Sequence, residues 1–220
     1  QLEGPKREFG ETVLRLKDPD HLTVKLVGND HPAAAGLADP IAPTRVRGVT
    51  ILSEKPGKSA EFLTHFGYCH GPVEGAIRRL VSDNDVIDVR DAAGFVPSIP
   101  GAGILDHVAF RAPDADALHQ MRLDFADPDH VTNVHDRKYF LSLYVREPAG
   151  TLIEYATDAP GMTVDEPPND LGQMLFVPQQ DADRSQDLKV MLPQFALPGE
   201  ERLPMRDLPF IHRFHRPKDP

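Results

Sequence analysis

The chain has 220 residues and a formal net charge of −10, from 34 acidic and 24 basic residues. This acidic balance argues against nucleic acid or an anionic membrane surface as a partner, because both require a basic footprint. No apolar run approaches the roughly 18 residues of a membrane span, and a single cysteine cannot form an internal disulfide. We therefore expect a cytoplasmic protein of one large domain or two small ones.

The first predicted elements are two strands over residues 12–27, joined by a turn. In the second strand Leu22, Val24 and Leu26 alternate with polar residues, which is the period of a half-buried strand. Residues 29–45 contain Pro, Ala, Gly and Asp without periodicity, and we interpret them as a linker. The chain starts without methionine and reaches a strand within about a dozen residues, so a truncated or processed protein is expected.

Two later stretches each predict a strand, a helix and further strands, in that order. The first comprises a strand over 47–52, a helix over 57–66, strands over 76–81 and 86–89, and a Gly- and Pro-rich loop over 93–103. The second comprises a strand over 105–110, a helix over 115–125 capped by Asp114, and strands over 131–135, 139–146 and 151–157. The second pattern is β-α-β-β-β.

An internal repeat relates these stretches to one another. The segment LKDPDHLTVKL (16–26) aligns without a gap with VREPAGTLIEY (145–155), and RGVTIL (47–52) aligns with DHVAFR (106–111). We expect the last two strands of a truncated βαβββ module over 1–28, the linker over 29–45, a module without metal ligands over 46–103, a module that carries the site over 104–158, and an irregular, Pro-rich C-terminal extension over 159–220.

The repeat singles out two residues of the last module. His107 corresponds to Gly48 in the middle module, and Glu154 corresponds to Lys25 in the first fragment. A carboxylate in the apolar strand that holds Glu154 must face solvent, pair with a cation or bind a metal. The two residues would supply two thirds of a 2-His-1-carboxylate site for non-haem Fe(II). A half-buried structural histidine and a solvent-facing glutamate remain the alternatives from residue types alone.

A third ligand within the chain is harder to find. His135 is the best internal candidate, because it lies in a predicted strand of the same module and shares a face with Arg137. The sequence shows none of the phosphate-loop, nucleophile-elbow or zinc-protease motifs that would indicate another chemistry.

The last module resembles the C-terminal module of the vicinal oxygen chelate superfamily, which includes glyoxalases, bleomycin-resistance proteins and extradiol dioxygenases. The residues that carry the resemblance are LDHVAFRAPD (105–114), the run VTNVHDRKYFLSLYVREPAGTLIEYATDAPGMTVDEP (131–167) and LGQMLFVPQQ (171–180). They are most similar to the ring-cleaving, hydroquinone-type dioxygenases. The resemblance implies an α+β fold in which βαβββ modules form curved mixed sheets or half-barrels.

The resemblance also implies a set of site residues. Such enzymes hold Fe(II), or Mn(II) or Zn(II), by a histidine at the start of the first module, a histidine at the start of the last and a glutamate on the last strand. His107 and Glu154 match the second and third, and the first is expected upstream of Gln1. Arg137 matches a group that holds a phenolate or the charge on O₂, and Tyr144 one that donates a hydrogen bond or moves a proton. Arg137 as a surface residue and Tyr144 as a core residue stay open.

One position departs from the family pattern. Asp106 stands where these enzymes often have a second histidine. A carboxylate cannot donate as an imidazole can, but it can orient a neighbouring ligand by accepting its N–H. The substrate and any acid–base role at this position therefore stay undetermined.

Together these features predict a ring-cleaving dioxygenase that acts on an aromatic diol, hydroquinone or catechol, with Fe(II) and O₂. The alternatives are a non-catalytic module that binds an aromatic ligand and a glyoxalase-type isomerase or lyase. The expected partners are the small substrate, O₂, and either a second copy or a complementing N-terminal module. Since two protein ligands leave a metal under-coordinated, we expect the 220-residue chain alone to bind Fe(II) poorly.

Overall fold

The computed structural model describes residues 2–19, 22–28, 43, 45–95, 104–125, 130–172, 177 and 179–191. The chain forms two compact units, residues 1–161 and residues 162–220. Most of the expected linker over 29–45 lies outside the described residues. Within the described part of the chain, no helix has the length and apolar character needed to cross a membrane.

The first unit opens with an antiparallel sheet of three strands. They are β1 (Leu2–Glu8), β2 (Glu11–Lys17) and β3 (Thr23–Gly28), in that order. The two strands expected over 12–27 are β2 and β3. We did not predict β1, because its sequence LEGPKRE contains Gly and Pro and lacks a clear apolar alternation.

The second sheet follows the βαβββ order with one strand more than we predicted. Its elements are β4 (Gly48–Ser53), α1 (Pro56–Leu63), β5 (Cys69–Glu74), β6 (Ile77–Val81) and β7 (Val86–Asp91). The strand order is β4-β7-β6-β5, with β4 and β7 parallel. The exposed strand β5 reads as loop in the sequence because it contains Gly71 and Pro72, which sheets tolerate at an edge.

The third sheet repeats this topology. Its elements are β8 (His107–Ala112), α2 (Ala115–Asp124), β9 (His135–Asp136), β10 (Leu141–Arg146) and β11 (Leu152–Thr157). The order is β8-β11-β10-β9, again with the first and last strands parallel. Asp114 caps α2 as predicted, because its carboxylate accepts the Ala117 N–H at 2.8 Å.

The core of the first unit lies between the second and third sheets and their helices. Phe62 of α1 packs against Phe125 beyond α2, and Phe66 packs against Phe110 and Tyr155. Other fully buried side chains are Leu63, Leu80, Leu118, Leu143 and Ile153. Because side chains alternate across a strand, this packing occupies one face of each sheet and leaves the other face for the residues of the site.

The repeat seen in the sequence is also a repeat of strand register. Leu16 pairs with Val24 in the first sheet, as Val145 pairs with Ile153 in the third. These are the positions that the ungapped alignment equates. The three sheets can therefore be compared residue by residue.

The second unit is less regular. It contains 3₁₀ segments at Met162–Val164 and Gln179–Arg184, and a short helix, α3 (Ser185–Met191). Residues 179–191 are helical, which the expectation of a mostly irregular extension did not specify. Much of the rest of the extension lies outside the described residues.

Candidate metal centre

His107 and Glu154 meet on one face of the third sheet. His107 opens β8 and pairs with Leu152 of β11, and Glu154 lies two residues further along β11 on the same face. The His107 Nε2 atom lies 2.9 Å from the Glu154 Oε2 atom. Two residues that are 47 positions apart in sequence are thus brought into contact by a single parallel strand pair.

The donor set and spacing fit a divalent transition metal. Two ligands at right angles on a metal, with bonds of about 2.1 Å, lie roughly 3 Å apart. The 2.9 Å between the imidazole nitrogen and the carboxylate oxygen matches this separation. Imidazole and carboxylate are also the ligand types of a 2-His-1-carboxylate iron site. The two residues present can therefore serve as neighbouring ligands.

Glu154 is buried and fully engaged. The residue is 6% exposed and lies between the core residues Ile153 and Tyr155. Its Oε1 atom accepts a hydrogen bond from the Tyr144 hydroxyl at 2.8 Å, while Oε2 faces His107. The alternative of a glutamate that simply faces water is therefore wrong. A buried carboxylate requires such partners, since its desolvation is costly.

Tyr144 lies inside the cluster and Arg137 at its edge. The Tyr144 ring stands perpendicular to the His107 ring, with centroids 5.7 Å apart. Arg137 is exposed between β9 and β10, and its Cζ atom lies 6.0 Å from the centroid of the Tyr144 ring, the outer limit of a cation–π contact. The structure thus brings Tyr144 to Glu154, and Arg137 only to the ring of Tyr144.

The described residues do not supply a third protein ligand. Across the described ranges, no group of three or more His, Cys, Asp or Glu side chains could hold a metal ion. His135 lies in β9, which β10 separates from β11, and its ring is 6.2 Å from that of Tyr144. The suggestion that His135 completes the site is therefore wrong.

A cleft opens beside the His107–Glu154 pair. Its volume is about 460 Å³, within the usual range for small-ligand pockets. Its walls include Asp106, Thr132, Tyr144, Arg146 and Leu152. Leu152 and Tyr144 flank Glu154 on its own face of the sheet, so the cleft lies next to the pair, although neither His107 nor Glu154 lines it. Its size suits a single aromatic ring with polar substituents.

The second sheet carries a buried carboxylate at the position equivalent to Glu154, and we did not predict it. Its parallel pair starts at Gly48 and Val86, as the third starts at His107 and Leu152, so Asp88 corresponds to Glu154. Arg79 pairs with Asp88 as Tyr144 pairs with Glu154. The available signal was a single acidic residue inside an apolar strand, VIDV, which parallels LIEY in the last module.

Ion pairs surround Asp88 in the second sheet. Arg79 bonds Asp88 at 2.8 Å and Glu11 of the first sheet at 2.6 Å, and Lys25 bonds Glu8 at 2.9 Å. Lys25 also lies 3.9 Å from Asp88. Burial alone would lower the pKa of Arg79, but its bonds to the two carboxylates outweigh burial and raise it. Guanidinium and ammonium groups thus stand beside the carboxylate here.

Two known proteins are similar to this chain in sequence, and a solved structure is similar to it in fold. "Putative ring-cleaving dioxygenase MhqO" of Bacillus subtilis (strain 168) is 33% identical over 196 residues, which cover 84% of this chain and 62% of that protein. "Putative ring-cleaving dioxygenase MhqE" of the same strain is 31% identical over 201 residues, with 86% and 65% covered. A crystal structure described as a putative dioxygenase from Bacillus subtilis superposes with a TM-score of 0.78 at 29% identity, covering 89% of this chain and 66% of that one. No family model matches the chain.

The chain is thus similar to putative ring-cleaving dioxygenases in sequence, and to a putative dioxygenase of known structure in fold. These similarities agree with the resemblance to ring-cleaving dioxygenases drawn from the motifs of the last module, and the solved structure confirms the expected α+β fold. The chain spans 62% and 65% of the lengths of the two curated relatives, which is less than two thirds. A shorter match of 37% identity over 95 residues relates it to the "Chlorohydroquinone/hydroquinone 1,2-dioxygenase" of Sphingobium indicum, with 41% of this chain covered and 29% of that protein.

Proposed function

We propose that the third sheet carries the active site of an Fe(II)-dependent, ring-cleaving dioxygenase that acts on an aromatic diol of the hydroquinone or catechol type in the cytoplasm. The observation that carries the proposal is the pair His107 Nε2 and Glu154 Oε2, 2.9 Å apart, at the edge of a cleft of about 460 Å³. The names of the relatives support the reaction class.

His107 and Glu154 are the residues that would hold the metal, with Fe(II) preferred and Mn(II) or Zn(II) as alternatives. When bound, the ion would bring the diol and O₂ to adjacent positions and pass electron density between them. A third protein ligand would come from a further module of the same fold or from a second copy. This requirement is the reason that we expect weak Fe(II) binding by the 220-residue chain alone.

The residues around the pair have separable tasks. The Tyr144 hydroxyl donates to Glu154 Oε1 at 2.8 Å and so holds the carboxylate with Oε2 turned towards His107. Tyr144 also lines the cleft, and its hydroxyl would exchange a proton with a substrate oxygen. Arg137, at the edge of the sheet, would attract the phenolate form of the diol.

Oxygen consumption tests the proposal. The protein is assembled with a module or copy that supplies the third ligand and loaded anaerobically with Fe(II). We expect it to consume O₂ when hydroquinone or catechol is added. Glu154→Ala should reduce this uptake to background and leave the circular dichroism spectrum unchanged. Glu61→Ala is the matched control, because Glu61 lies on the exposed side of α1 with its side chain 76% accessible.

Two outcomes would contradict the proposal. The first is uptake that survives Glu154→Ala. The second is an iron-loaded assembly that consumes no O₂ but isomerises a glutathione–aldehyde adduct, as a glyoxalase-type enzyme would. Tight, stoichiometric Fe(II) binding by the 220-residue chain alone in calorimetry would contradict the need for an additional ligand.

A further inference from the structure

The first sheet has an apolar patch on its outer face. Leu14 pairs with Leu26 and Leu16 pairs with Val24, so the four side chains lie together on the face opposite Lys25. Val24 is 47% exposed and Leu26 is 41% exposed, although both lie in a regular strand. We call these four residues the outer patch. Contiguous apolar side chains at a protein surface usually mark a contact with another element.

The third sheet buries the same four positions. The repeat and the strand register equate the outer patch with Leu143, Val145, Ile153 and Tyr155, which are at most 7% exposed. Helix α2 packs on them, since it contacts β10 and β11 and its Leu118 belongs to the same buried core. Helix α1 contacts β6 and β7 of the second sheet in the same way. The exposure of the outer patch thus marks the place where the other two sheets have a helix.

The edge of β3 is open as well. Among the described strands, β3 pairs only with β2. Its counterpart β11 also pairs in parallel with β8, and β7 pairs in parallel with β4. In both of these modules the helix begins three residues after the last residue of that first strand. One strand–helix segment therefore covers both the edge and the apolar face of each complete sheet.

We propose that the outer patch and the open edge of β3 form a docking site for a partner that presents a strand–helix segment. The partner's strand pairs in parallel with Thr23–Gly28, in the register of β8 with β11, and its helix lies on the outer patch. A second copy of the chain does not offer such a segment, because Ile51, Leu63, Phe110 and Leu118 are buried in their own modules. The proposal does not depend on the proposed function.

The two covered sheets specify the chemistry of the partner. The strand residues on the apolar side are Val49, Ile51 and Ser53 in β4 and Val108, Phe110 and Ala112 in β8. The partner's strand should therefore have apolar residues at its second and fourth positions and a small residue at its sixth. Its helix should present apolar residues three positions apart, as Leu118 and Met121 do in α2.

Binding of a strand–helix peptide to the full 220-residue chain tests the proposal. The probe is a synthetic peptide of residues 105–125, LDHVAFRAPDADALHQMRLDF, which contains β8 and α2. We expect binding in a 1:1 ratio by calorimetry and slower hydrogen exchange of the β3 amides, because the added strand bonds to that edge. A peptide with Val108→Asp and Phe110→Asp should bind at least about 10-fold more weakly, because both charges would enter an apolar contact.

Val24→Asp is the corresponding change in the chain. Since burial of a valine side chain contributes about 1.5 kcal/mol or more, we expect the affinity for the peptide to fall at least about 10-fold. Val73→Asp is the matched control, because Val73 is 60% exposed on β5, the edge strand of the second sheet. It should bind the peptide as the wild type does. Leu26→Ser, a milder change, keeps the test valid if circular dichroism shows that Val24→Asp does not fold.

Four outcomes would overturn the proposal. The first is failure of the peptide to bind the wild-type chain, and the second is equal affinity for the wild type and for a folded variant of the outer patch. The third is slower exchange in β11 but not in β3, which would mean that the peptide replaces the chain's own β8. The fourth is a wild-type dimer in sedimentation that Val24→Asp dissociates, because the outer patch would then bind a second copy.

Discussion

The second and third sheets place a buried carboxylate at the same point and surround it differently. Asp88 and Glu154 each lie two residues into the last strand of a βαβββ module, paired in parallel with the first strand. Asp88 meets Arg79, with Lys25 further away, whereas Glu154 meets His107 and Tyr144. The second sheet thus contains its own arginine and lysine cations, whereas the third places an imidazole and a phenol hydroxyl beside the carboxylate.

This difference shows that one module can either compensate its buried carboxylate with internal cations or place it beside a cleft. We call the second sheet, with its ion pairs around Asp88, the closed sheet. A buried carboxylate is stable only if a positive charge or several hydrogen bonds compensate its lost hydration. In the second sheet the compensation is permanent, because Arg79 also binds Glu11 and stacks on Phe9 with its Cζ atom 4.0 Å from the ring centroid. In the third sheet the face beside Glu154 borders a cleft.

The largest expected effect on stability comes from removing the cation that pairs with Asp88 in the second sheet. Arg79→Met removes the guanidinium and leaves Asp88 buried, with Glu11 deprived of one partner. Because an uncompensated buried charge is costly, the free energy of unfolding should fall by about 3–5 kcal/mol. Urea denaturation measures this loss.

An exposed arginine provides the comparison for this variant. Arg111 also forms an ion pair with an aspartate, Asp158, but both side chains are 73% exposed. Arg111→Met should therefore change the unfolding free energy by no more than about 0.5 kcal/mol. Similar losses in the two arginine variants would show that the ion pairs around Asp88 do not compensate a buried charge.

The sequence predicted that His107 and Glu154 lie close together, but it did not predict the ion pairs around Asp88 in the second sheet. An ungapped repeat set His107 and Glu154 against Gly48 and Lys25, and the resemblance to ring-cleaving dioxygenases matched both residues to metal ligands. The ion pairs around Asp88 were missed because their members come from two different sheets, and the bond from Arg79 to Glu11 spans 68 positions. Local periodicity carries no information on such long-range pairs.

Elements with clear periodicity were likewise easier to predict than those without it. The helices and inner strands of both complete modules follow their apolar patterns. The ungapped repeat likewise predicted that β2 and β3 pair in the same register as β10 and β11. Strands β1 and β5 contain Gly and Pro, which usually indicate turns, and they pair only because their neighbours provide an open edge.

A smaller effect is expected at Gly48, the counterpart of His107. A Cβ atom added there would lie 2.0 Å from the carbonyl oxygen of Val86, so β4 and β7 would have to move apart. Gly48→Ala should therefore cost about 1–3 kcal/mol of unfolding free energy. A stability equal to wild type would show that the close approach of β4 and β7 does not exclude a side chain at position 48.

Gly57 is the internal control for that substitution. It lies in α1, and a Cβ atom there meets nothing within 4 Å. Gly57→Ala should leave stability unchanged or raise it by up to about 1 kcal/mol, because alanine reduces the entropy of the unfolded chain. The two glycine variants together separate the close approach of the strands from a general effect of adding a methyl group.

The most gradual effect is expected from acidification. It should arise from two carboxylates of the first sheet, Glu8 and Glu11, which bind the cations near Asp88. Burial alone would raise the pKa of Glu8 and Glu11, but bonds to Lys25 and Arg15, and to Arg79 and Arg47, outweigh burial and lower both values below the usual 4.5. The unfolded chain thus binds more protons than the folded chain just below pH 4.5. The contribution of these carboxylates is complete above that pH and is lost as the pH falls through their folded values.

Urea denaturation between pH 7 and roughly pH 3 measures this loss as a fall in unfolding free energy. The double variant Glu8→Gln/Glu11→Gln should be less stable at neutral pH but show a flatter decline on acidification, because amides do not titrate. Glu61→Gln, on the exposed side of α1, should decline as the wild type does. If the double variant declined as steeply as the wild type, the acid sensitivity would have to come from other carboxylates. The ion pairs of Glu8 and Glu11 would then make no contribution to the acid sensitivity of the fold.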